Sequence, residues 1–205
     1  MRSKPNIPAI ILAAGASKRM GFPKALLEVG KGTLLEDQIS RLKKAGCKLI
    51  IVVIAPSPPV TTPSAGRLPS KGGVVIYSVN RLSCLGQFSS IKCGLKSLKN
   101  IGNGCIILPV DCPFVPVSII KKIIKYASEK YAAVIPKHGK KKGHPVWISR
   151  RTIQKILKTD TKKGRLDAML KGNLKYITTK SSAILNNINT KKQWLQLLPR
   201  HKSPS

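Results

Sequence analysis

The sequence predicts a single three-layer α/β/α domain with a mostly parallel central sheet. Strand-sized apolar runs alternate with segments of helical periodicity, which is typical of consecutive βαβ units. The apolar fraction of 42% argues against a disordered chain, and 205 residues suffice for one substantial core. We expect residues 1–198 to form this domain and the basic residues 199–205 to form a frayed tail.

The first half of the chain starts this alternation. Residues 7–14 and 48–55 are apolar at nearly every position, as in strands buried on both faces. Between them, apolar residues recur at helical spacing over residues 34–45, and Gly46 is expected to end that helix. The other elements predicted in this half are strand 74–79, helix 89–98 and strand 105–110.

The second half continues the pattern with shorter elements. Four isoleucines give the segment 117–128 an apolar helical face, and the basic turn HGKKKG separates two strands. The elements predicted here are helix 117–128, strands 131–136 and 144–148, helices 149–157 and 166–170, strand 174–178 and helix 191–198.

Residues 56–73 interrupt the alternation. Five prolines exclude a regular helix in this segment, namely Pro56, Pro58, Pro59, Pro63 and Pro69. Long loops of this kind are uncommon in compact domains and are often mobile or functional. We therefore predict a long loop that forms a flexible flap.

The chain is strongly basic, with 38 Lys+Arg against 7 Asp+Glu and a formal net charge of +31. Such a surface attracts polyanions, which suits a nucleic-acid-binding protein. However, aromatic residues make up only 4%, and the basic residues are spread along the whole chain. Compositional drift is therefore the favoured interpretation, with weak polyanion binding expected in either case.

Three features favour a cytoplasmic protein without membrane association. No apolar run approaches the ~20 residues of a membrane helix, and the N-terminus lacks the apolar region of a signal peptide. The five cysteines form no CxxC pair, which predicts reduced and mostly buried thiols. Cys112 is notable among them because it adjoins Asp111.

The loop after the first strand is the strongest candidate for phosphate chemistry. It reads LAAGASKRMGFPK from Leu12 to Lys24, and its glycines Gly15 and Gly21 permit close approach to a ligand. Successive backbone N–H groups can then form an anion-binding nest. Small side chains keep the approach open, namely Ala13, Ala14, Ala16 and Ser17.

Two cations in this loop suit a triphosphate whose α-phosphorus is attacked while pyrophosphate leaves. Arg19 offers a planar fork of donors, and Lys24 offers a mobile point charge. The loop is neither a Walker A motif nor a GxGxxG motif. The alternative, a basic strand-to-helix turn without a ligand, fits Lys18 better than it fits Arg19 or Lys24.

The segment LAAGASKRMGFPKALLEV resembles the LAAGxSxRMGxxKxLL signature of the MobA-like NTP transferases. This family includes the molybdenum cofactor cytidylyl- and guanylyltransferases. Further blocks agree in order, and the resemblance covers roughly residues 7–195. These blocks are Asn80 with GQFSSI and Gly94-Leu95, LPVDCPF ending at Phe114, Gly143-His144-Pro145, and NINT ending at Thr190.

The resemblance implies a Rossmann-like GT-A fold and a Mg²⁺-dependent nucleotidyltransferase. Such an enzyme transfers NMP from an NTP to a phosphorylated acceptor such as molybdopterin and releases pyrophosphate. The resemblance makes Arg19, Lys24 and Asp111 catalytic and assigns acceptor binding to His144. The implied nucleotide contacts are Leu12, Ala13, Ala14, Gly15, Ser17, Arg19, Lys24, Asn80, Gly86, Ser89, Ser90 and Asp111.

Asp111 is the expected Mg²⁺ ligand. It follows a predicted buried strand, and Mg²⁺ prefers one or two carboxylates together with phosphate oxygens and water. By the resemblance, the second metal-facing position is Asn189, an amide without charge, and Asn187 could contribute similarly. Taken without the resemblance, Asp111 could instead cap a turn before Pro113.

Two segments depart from the family's pattern. The Pro-rich segment 56–72 replaces a helix, and Thr190-Lys-Lys-Gln193 replaces the family's TPED. The second change removes both acids from the start of the last helix. It either weakens that helix start or merely reflects the lysine-rich composition.

Several side chains keep an alternative role. His144 could be a hydrogen-bonded loop histidine, and Ser89 and Ser90 could cap a helix instead of contacting the base. The lysine run 140–142 is typical of a solvated turn, although it could steer an anionic acceptor together with Arg165.

Two conflicting sequence signals bear on which nucleotide the enzyme uses. LAAG resembles the cytidylyl branch and NINT the guanylyl branch, and we expect CTP with GTP as the alternative. Two other functions stay open: a nucleotidyltransferase for sugar or alcohol phosphates, including the methylerythritol-phosphate type, and a non-catalytic basic protein that binds nucleotides or nucleic acids.

Overall fold

The structure is a computed structural model that describes residues 7–17, 19–56, 67–70, 73–99 and 102–198, with the backbone alone over 67–70. The strands are β1 (Ala9–Leu12), β2 (Glu28–Val29), β3 (Gly32–Thr33), β4 (Leu49–Ile54), β5 (Arg67–Ser70), β6 (Gly73–Val79), β7 (Gly104–Pro109), β8 (Ala133–His138), β9 (Lys141–Lys142), β10 (Val146–Ser149) and β11 (Leu174–Thr178). The α-helices are α1 (Leu34–Ala45), α2 (Gln87–Lys96), α3 (Val117–Tyr126), α4 (Arg150–Lys158), α5 (Leu166–Met169) and α6 (Lys191–Leu197). Short 3-10 helices cover Lys24–Leu26, Ser83–Leu85 and Ser182–Leu185.

The described strands form one large sheet and a small hairpin. The sheet has the order β11-β8-β10-β7-β1-β4-β6-β5, with β9 paired to β8, while β2 and β3 pair separately. Its centre is parallel, because β1 pairs in parallel with both β4 and β7, and β4 does so with β6. This confirms the predicted α/β class with a mainly parallel sheet.

Strand order reverses between β1 and β7. The chain builds β4 and β6 on one side of β1 and then returns to place β7 on the other side. In open α/β sheets, ligands bind beyond the carboxyl ends of the strands at such a reversal. The loops that follow β1 and β7 therefore flank the expected ligand position.

Alternate residues of β1 face two separate cores. Ala9 and Ile11 pack on the side covered by α1 and α3, whereas Ile10 and Leu12 pack on the side covered by α2 and α4. This follows from the two-residue period of a strand. The continuous apolar run in the sequence thus fills the interfaces between all three layers.

Helix α1 has the bounds that the sequence predicts. Thr33 and Glu36 form a capping box, in which Glu36 Oε2 accepts from Thr33 N at 2.8 Å and Thr33 Oγ1 accepts from Glu36 N at 3.3 Å. At the other end, Gly46 has φ 109°, a left-handed conformation that favours glycine. Both signals are local, and both are visible in the sequence.

The predicted loop over residues 56–73 is wrong at Arg67–Ser70, which form β5 and pair antiparallel with β6. Within the described residues β5 is the last strand of the sheet, and edge strands tolerate a proline such as Pro69. Residues 57–66 and 71–72, and with them the predicted flap, lie outside the described residues, as do Lys18 and the tail 199–205.

Smaller differences concern element ends and thiols. The strand predicted from residue 144 begins at Val146, because Pro145 has no N–H to donate. All five cysteines are free, and Cys47, Cys105 and Cys112 are buried, as predicted. No helix within the described residues combines the length and apolar character that crossing a bilayer requires.

Candidate active site

A cleft of about 280 Å³ opens where the strand order reverses, at the carboxyl ends of β1 and β7. Most of the predicted nucleotide contacts line it, namely Leu12, Ala14, Gly15, Ser17, Lys24, Gly86, Ser90 and Asp111. Five other residues line the cleft that were not among the predicted nucleotide contacts, namely Ala16, Ser83, Gln87, Pro109 and Val110. All of them except Ser83 lie in the predicted phosphate loop or in the matching sequence blocks.

Ser17 shapes the loop after β1. Its φ of 47° turns the backbone, and its carbonyl accepts from Met20 N at 2.8 Å and Gly21 N at 3.2 Å. Its hydroxyl accepts from Lys24 N at 3.3 Å. Ser17 therefore closes the loop and fixes the backbone from which the Lys24 side chain extends.

The Lys24 ammonium joins three segments of the chain. Lys24 Nζ donates to Asn189 Oδ1 at 3.0 Å and lies 3.5 Å from Asp111 Oδ2. The Lys24 side chain is 12% exposed and that of Asp111 is 28% exposed, so the ion pair is partly shielded from water. The loop after β1, the loop after β7 and the segment before α6 thus converge on one positive charge.

The orientation of Asn189 is fixed by its neighbours. Its Nδ2 donates to Asn187 Oδ1 at 2.9 Å, which leaves Oδ1 directed at Lys24. The backbone N–H of Asn189 donates to Gln193 Oε1 at 2.7 Å. In addition, Ile188 N donates to Asp111 O at 2.9 Å and joins this segment to the Asp111 loop.

Helix α6 is capped without the acids of the TPED pattern. Gln193 Oε1 accepts from Thr190 N at 3.1 Å, and Thr190 Oγ1 accepts from Gln193 N at 3.3 Å. A neutral glutamine thus completes the capping box, as glutamate does elsewhere. Of the two alternatives for this segment, the capping box favours the lysine-rich composition over a weakened helix start.

Gln38 is a buried polar residue that the sequence analysis missed. It is 1% exposed and lies on the inner face of α1. Its Nε2 lies within donor distance of three backbone carbonyls, at 3.3 Å from Pro109, 3.2 Å from Val110 and 3.0 Å from Cys112. Gln38 therefore holds the loop that carries Asp111 against α1.

A second cavity of about 460 Å³ lies on the other side of the α2 N-terminus and is lined by Lys142, His144 and Arg165, among others. Gln87 lines both this cavity and the cleft, so the two spaces are adjacent. Arg165 is exposed and pairs with Asp167 through its Nε at 3.2 Å and its Nη2 at 3.1 Å. Lys142 is the lining cation without a carboxylate partner among the described residues.

His144 is half-buried in the wall of this second cavity. Its backbone N–H donates to Ile184 O at 2.9 Å, and no described residue pairs with its buried Nδ1. Burial lowers the pKa of His144, while the charge of Asp111 acts in the opposite direction. A Cβ at Gly143 would overlap the backbone of Ile184, which explains the glycine before this histidine.

Residues 9–177 match the model of the MobA-like NTP transferase domain. The chain belongs to this family. As a MobA-like NTP transferase it is a nucleotidyltransferase, and the family suggested by the loop motif is confirmed.

Curated relatives of this MobA-like transferase include both nucleotide branches. The molybdenum cofactor cytidylyltransferase of Escherichia coli K12 is 23% identical over 195 residues, covering 95% of this chain and 97% of that protein. The molybdenum cofactor guanylyltransferase of Sinorhizobium fredii is 27% identical over 119 residues, covering 57% of this chain and 50% of that protein.

Solved structures confirm the GT-A-like fold. Rv0371c from Mycobacterium tuberculosis H37Rv superimposes with a TM-score of 0.77 at 21% identity, covering 95% of this chain and 99% of that protein. A structure of Rv0371c in complex with manganese superimposes with a TM-score of 0.71 at 19% identity, covering 95% of this chain and 99% of that chain.

Four predicted nucleotide contacts of the MobA-like transferase do not line the cleft. Ala13 packs against the core, and Arg19 is exposed. Asn80 is buried, and its Nδ2 donates to Ser89 Oγ at 2.9 Å and to Ser90 Oγ at 3.1 Å. Ser89 in turn donates to Gly86 O at 2.7 Å. Asn80 and Ser89 thus build the turn before α2, and Ser90 lines the cleft.

The oxygens near Lys24 fit a hard divalent cation. Asp111 Oδ2 and Asn189 Oδ1 already converge on one ammonium, and Mg²⁺ prefers such oxygen ligands. The described residues contain no group of three His, Cys, Asp or Glu side chains that would hold a metal without the substrate. Burial, together with the charge of Asp111, raises the pKa of Cys112, which keeps this thiol neutral and unsuited to metal ligation.

Proposed function

We propose that this MobA-like transferase moves CMP from CTP to a phosphorylated small molecule such as molybdopterin, with Mg²⁺ as cofactor. One observation supports this proposal above all others. Lys24, Asp111 and Asn189 meet beside the cleft where the strand order reverses. A cation and hard oxygens beside such a cleft support a site for a triphosphate and a metal ion.

The loop after β1 would bind the triphosphate. Its small residues leave the backbone accessible, and a Cβ at Gly15 would meet no atom within 4 Å. Lys24 would neutralise the charge that develops as the bond between the α-phosphorus and the bridging oxygen breaks. Mg²⁺, held by Asp111 and Asn189, would supply further positive charge to the phosphate oxygens.

The acceptor would bind in the second cavity. A phosphate oxygen of the acceptor attacks the α-phosphorus, forming one P–O bond while pyrophosphate leaves. A phosphate is an anion at neutral pH, so this attack requires no general base. Lys142 and the first turn of α2, which has no side-chain cap at Gly86, would attract the acceptor phosphate. We assign His144 to acceptor binding because it lines this cavity.

CTP is the proposed nucleotide because Ala13 and Ala14 give the cytidylyl-like LAAG, and the relative in Escherichia coli is named a cytidylyltransferase. The guanylyl-like NINT segment makes GTP the second candidate. We further propose that the enzyme acts in the cytoplasm and that its net charge of +31 gives weak polyanion binding.

Thermal unfolding with CTP, GTP, ATP or UTP, each with and without Mg²⁺, tests the nucleotide and the metal. A ligand at ~100 times its Kd stabilises the folded protein by about 2.7 kcal/mol. We expect the largest increase in Tm with CTP and Mg²⁺. This increase should be lost in Asp111→Asn but kept in the control Asp160→Asn. Equal shifts with all four nucleotides that need no metal and vanish in moderate salt would instead indicate a polyanion-binding protein.

Pyrophosphate release in the presence of CTP and Mg²⁺ tests the acceptor. We expect turnover with a molybdopterin-type phosphate and none with sugar phosphates or methylerythritol phosphate. Turnover with either of the latter two would assign the enzyme to the alternative acceptor class.

A further inference from the structure

The Lys24 ammonium contacts one side-chain oxygen of each residue that the proposed function assigns to Mg²⁺. Lys24 Nζ lies 3.0 Å from Asn189 Oδ1 and 3.5 Å from Asp111 Oδ2. An ammonium at these oxygens opposes the binding of a divalent cation to them, because like charges at such short separations repel strongly. Lys24 and a metal ion therefore compete for the same position.

We infer that Lys24 makes metal binding depend on the nucleotide, an inference that rests on the proposed function. In the free enzyme Lys24 pairs with Asp111 and Asn189 and excludes a divalent ion. The triphosphate draws the ammonium to its own oxygens, and the two ligands become accessible to the metal. Nucleotide and metal then bind with positive coupling, which by linkage is reciprocal.

The charges around the cleft support this exchange. Asp111 is the only acid that lines the cleft in the described part of the chain, and its charge is balanced by Lys24. A divalent ion entering the free site would thus find no net negative charge and a strongly basic protein around it. The triphosphate supplies the missing negative charge.

The local structure allows Lys24 to move without disturbing the ligands. Its backbone is held by Ser17 Oγ, whereas its side chain is a flexible stem. Asn189 keeps its orientation when the ammonium leaves, because its Nδ2 remains bonded to Asn187 Oδ1 at 2.9 Å. The exchange can therefore proceed by rotation of the Lys24 side chain, while Ser17 and Asn187 hold the Lys24 backbone and the Asn189 amide.

Binding of Mn²⁺ to the full chain, followed by electron paramagnetic resonance without nucleotide, tests the inference. We expect Lys24→Met to bind Mn²⁺ at least about tenfold more tightly than the wild type does. The matched control Lys31→Met, which removes an exposed lysine from the β2–β3 turn, should bind like the wild type. The gain should disappear when Lys24→Met is combined with Asp111→Asn. Lys24→Gln repeats the test with a polar neutral side chain in case the Met variant does not fold.

A second titration separates this inference from the proposed function. Mn²⁺ is added together with the non-reactive α,β-methylene analogue of CTP, and the wild type is compared with Asp111→Asn. In one outcome, the ternary complex needs Asp111 but Lys24→Met binds Mn²⁺ no more tightly than the wild type does without nucleotide. That outcome would overturn the exchange and leave the proposed metal site standing. A ternary complex that forms equally well in Asp111→Asn would overturn the proposed metal site itself.

Discussion

Asn189 Oδ1 accepts a hydrogen bond of 3.0 Å from the Lys24 ammonium across 165 residues of sequence. This contact brings the loop after the first strand to the segment before the last helix. Asp111, in the loop after the central strand β7, shares the same ammonium. The candidate site is therefore assembled from three distant parts of the chain, and each part can be tested by substitution.

Lys24→Ala should lower kcat/KM by at least about 10²-fold, because it removes the positive charge that would stabilise the departing pyrophosphate. Steady-state pyrophosphate release measures this loss, and the exposed Lys31→Ala serves as the control. Arg19→Ala should lower kcat/KM less than Lys24→Ala does, because Arg19 is exposed and lies outside the cleft lining. Near-normal turnover in Lys24→Ala would remove this loop from the mechanism.

Gln38→Leu should destabilise the protein by about 1 kcal/mol and also lower kcat, because loss of the Nε2 donor outweighs removal of the buried Oε1, which pairs with no described residue. The substitution keeps the approximate side-chain volume but takes the donor from the buried carbonyls of Val110 and Cys112. Urea unfolding measures the first effect. The control is Gln154→Leu, at an exposed position of α4, which should change stability little. Equal stability of the two variants would contradict the assigned role of Gln38.

Gln193→Ala should lower the free energy of unfolding by about 1 kcal/mol, the usual effect of a lost helix cap. It should also weaken Mn²⁺ binding in the presence of nucleotide, because Asn189 loses the acceptor of its backbone N–H. Gln196→Ala, at an exposed position of the same helix, controls for helix propensity. If both variants bind Mn²⁺ alike, the cap does not help to position Asn189.

The stability of the wild type should fall as the pH decreases below about 6.5, the ordinary pKa of histidine. Burial lowers the pKa of His144 in the folded chain, so the unfolded chain binds this proton more readily. The stability that neutral His144 contributes is thus fully present above pH 6.5. It is lost as the pH falls through the lowered pKa of His144 in the folded chain. Denaturant unfolding of the wild type and of His144→Asn across this range measures it, and parallel curves would refute it.

The parts of the fold with local signals could be predicted from the sequence. Thr33, Glu36 and Gly46 mark both ends of α1, and the continuous apolar run of β1 marks a strand buried on both faces. β5 could not be predicted, because Pro69 is a strong loop signal unless the strand is known to lie at an edge.

The site residues divide in the same way. The glycine-containing loop predicted the cleft lining around Lys24, whereas the direction of the Asn80 amide depends on how the following turn folds. Gln38 occupies the apolar face of a helix, and its partners lie 71 to 74 residues away in the sequence. A polar residue at a core-facing helical position was the available signal, and only the fold identifies its partners.

Two of the three segments that carry the site, the loops after β1 and β7, leave strands that have hydrogen-bonded neighbours on each side. β1 lies between β4 and β7, and its residues are buried against both cores. Amide protons in such strands exchange with solvent only when the whole domain opens, whereas an edge such as β5–β6 opens at lower free energy. Opening of that edge would reach the cleft through the segment after β6, which carries Gly86 and Ser90. Displacement of the Lys24 and Asp111 loops, by contrast, should coincide with cooperative loss of the whole fold.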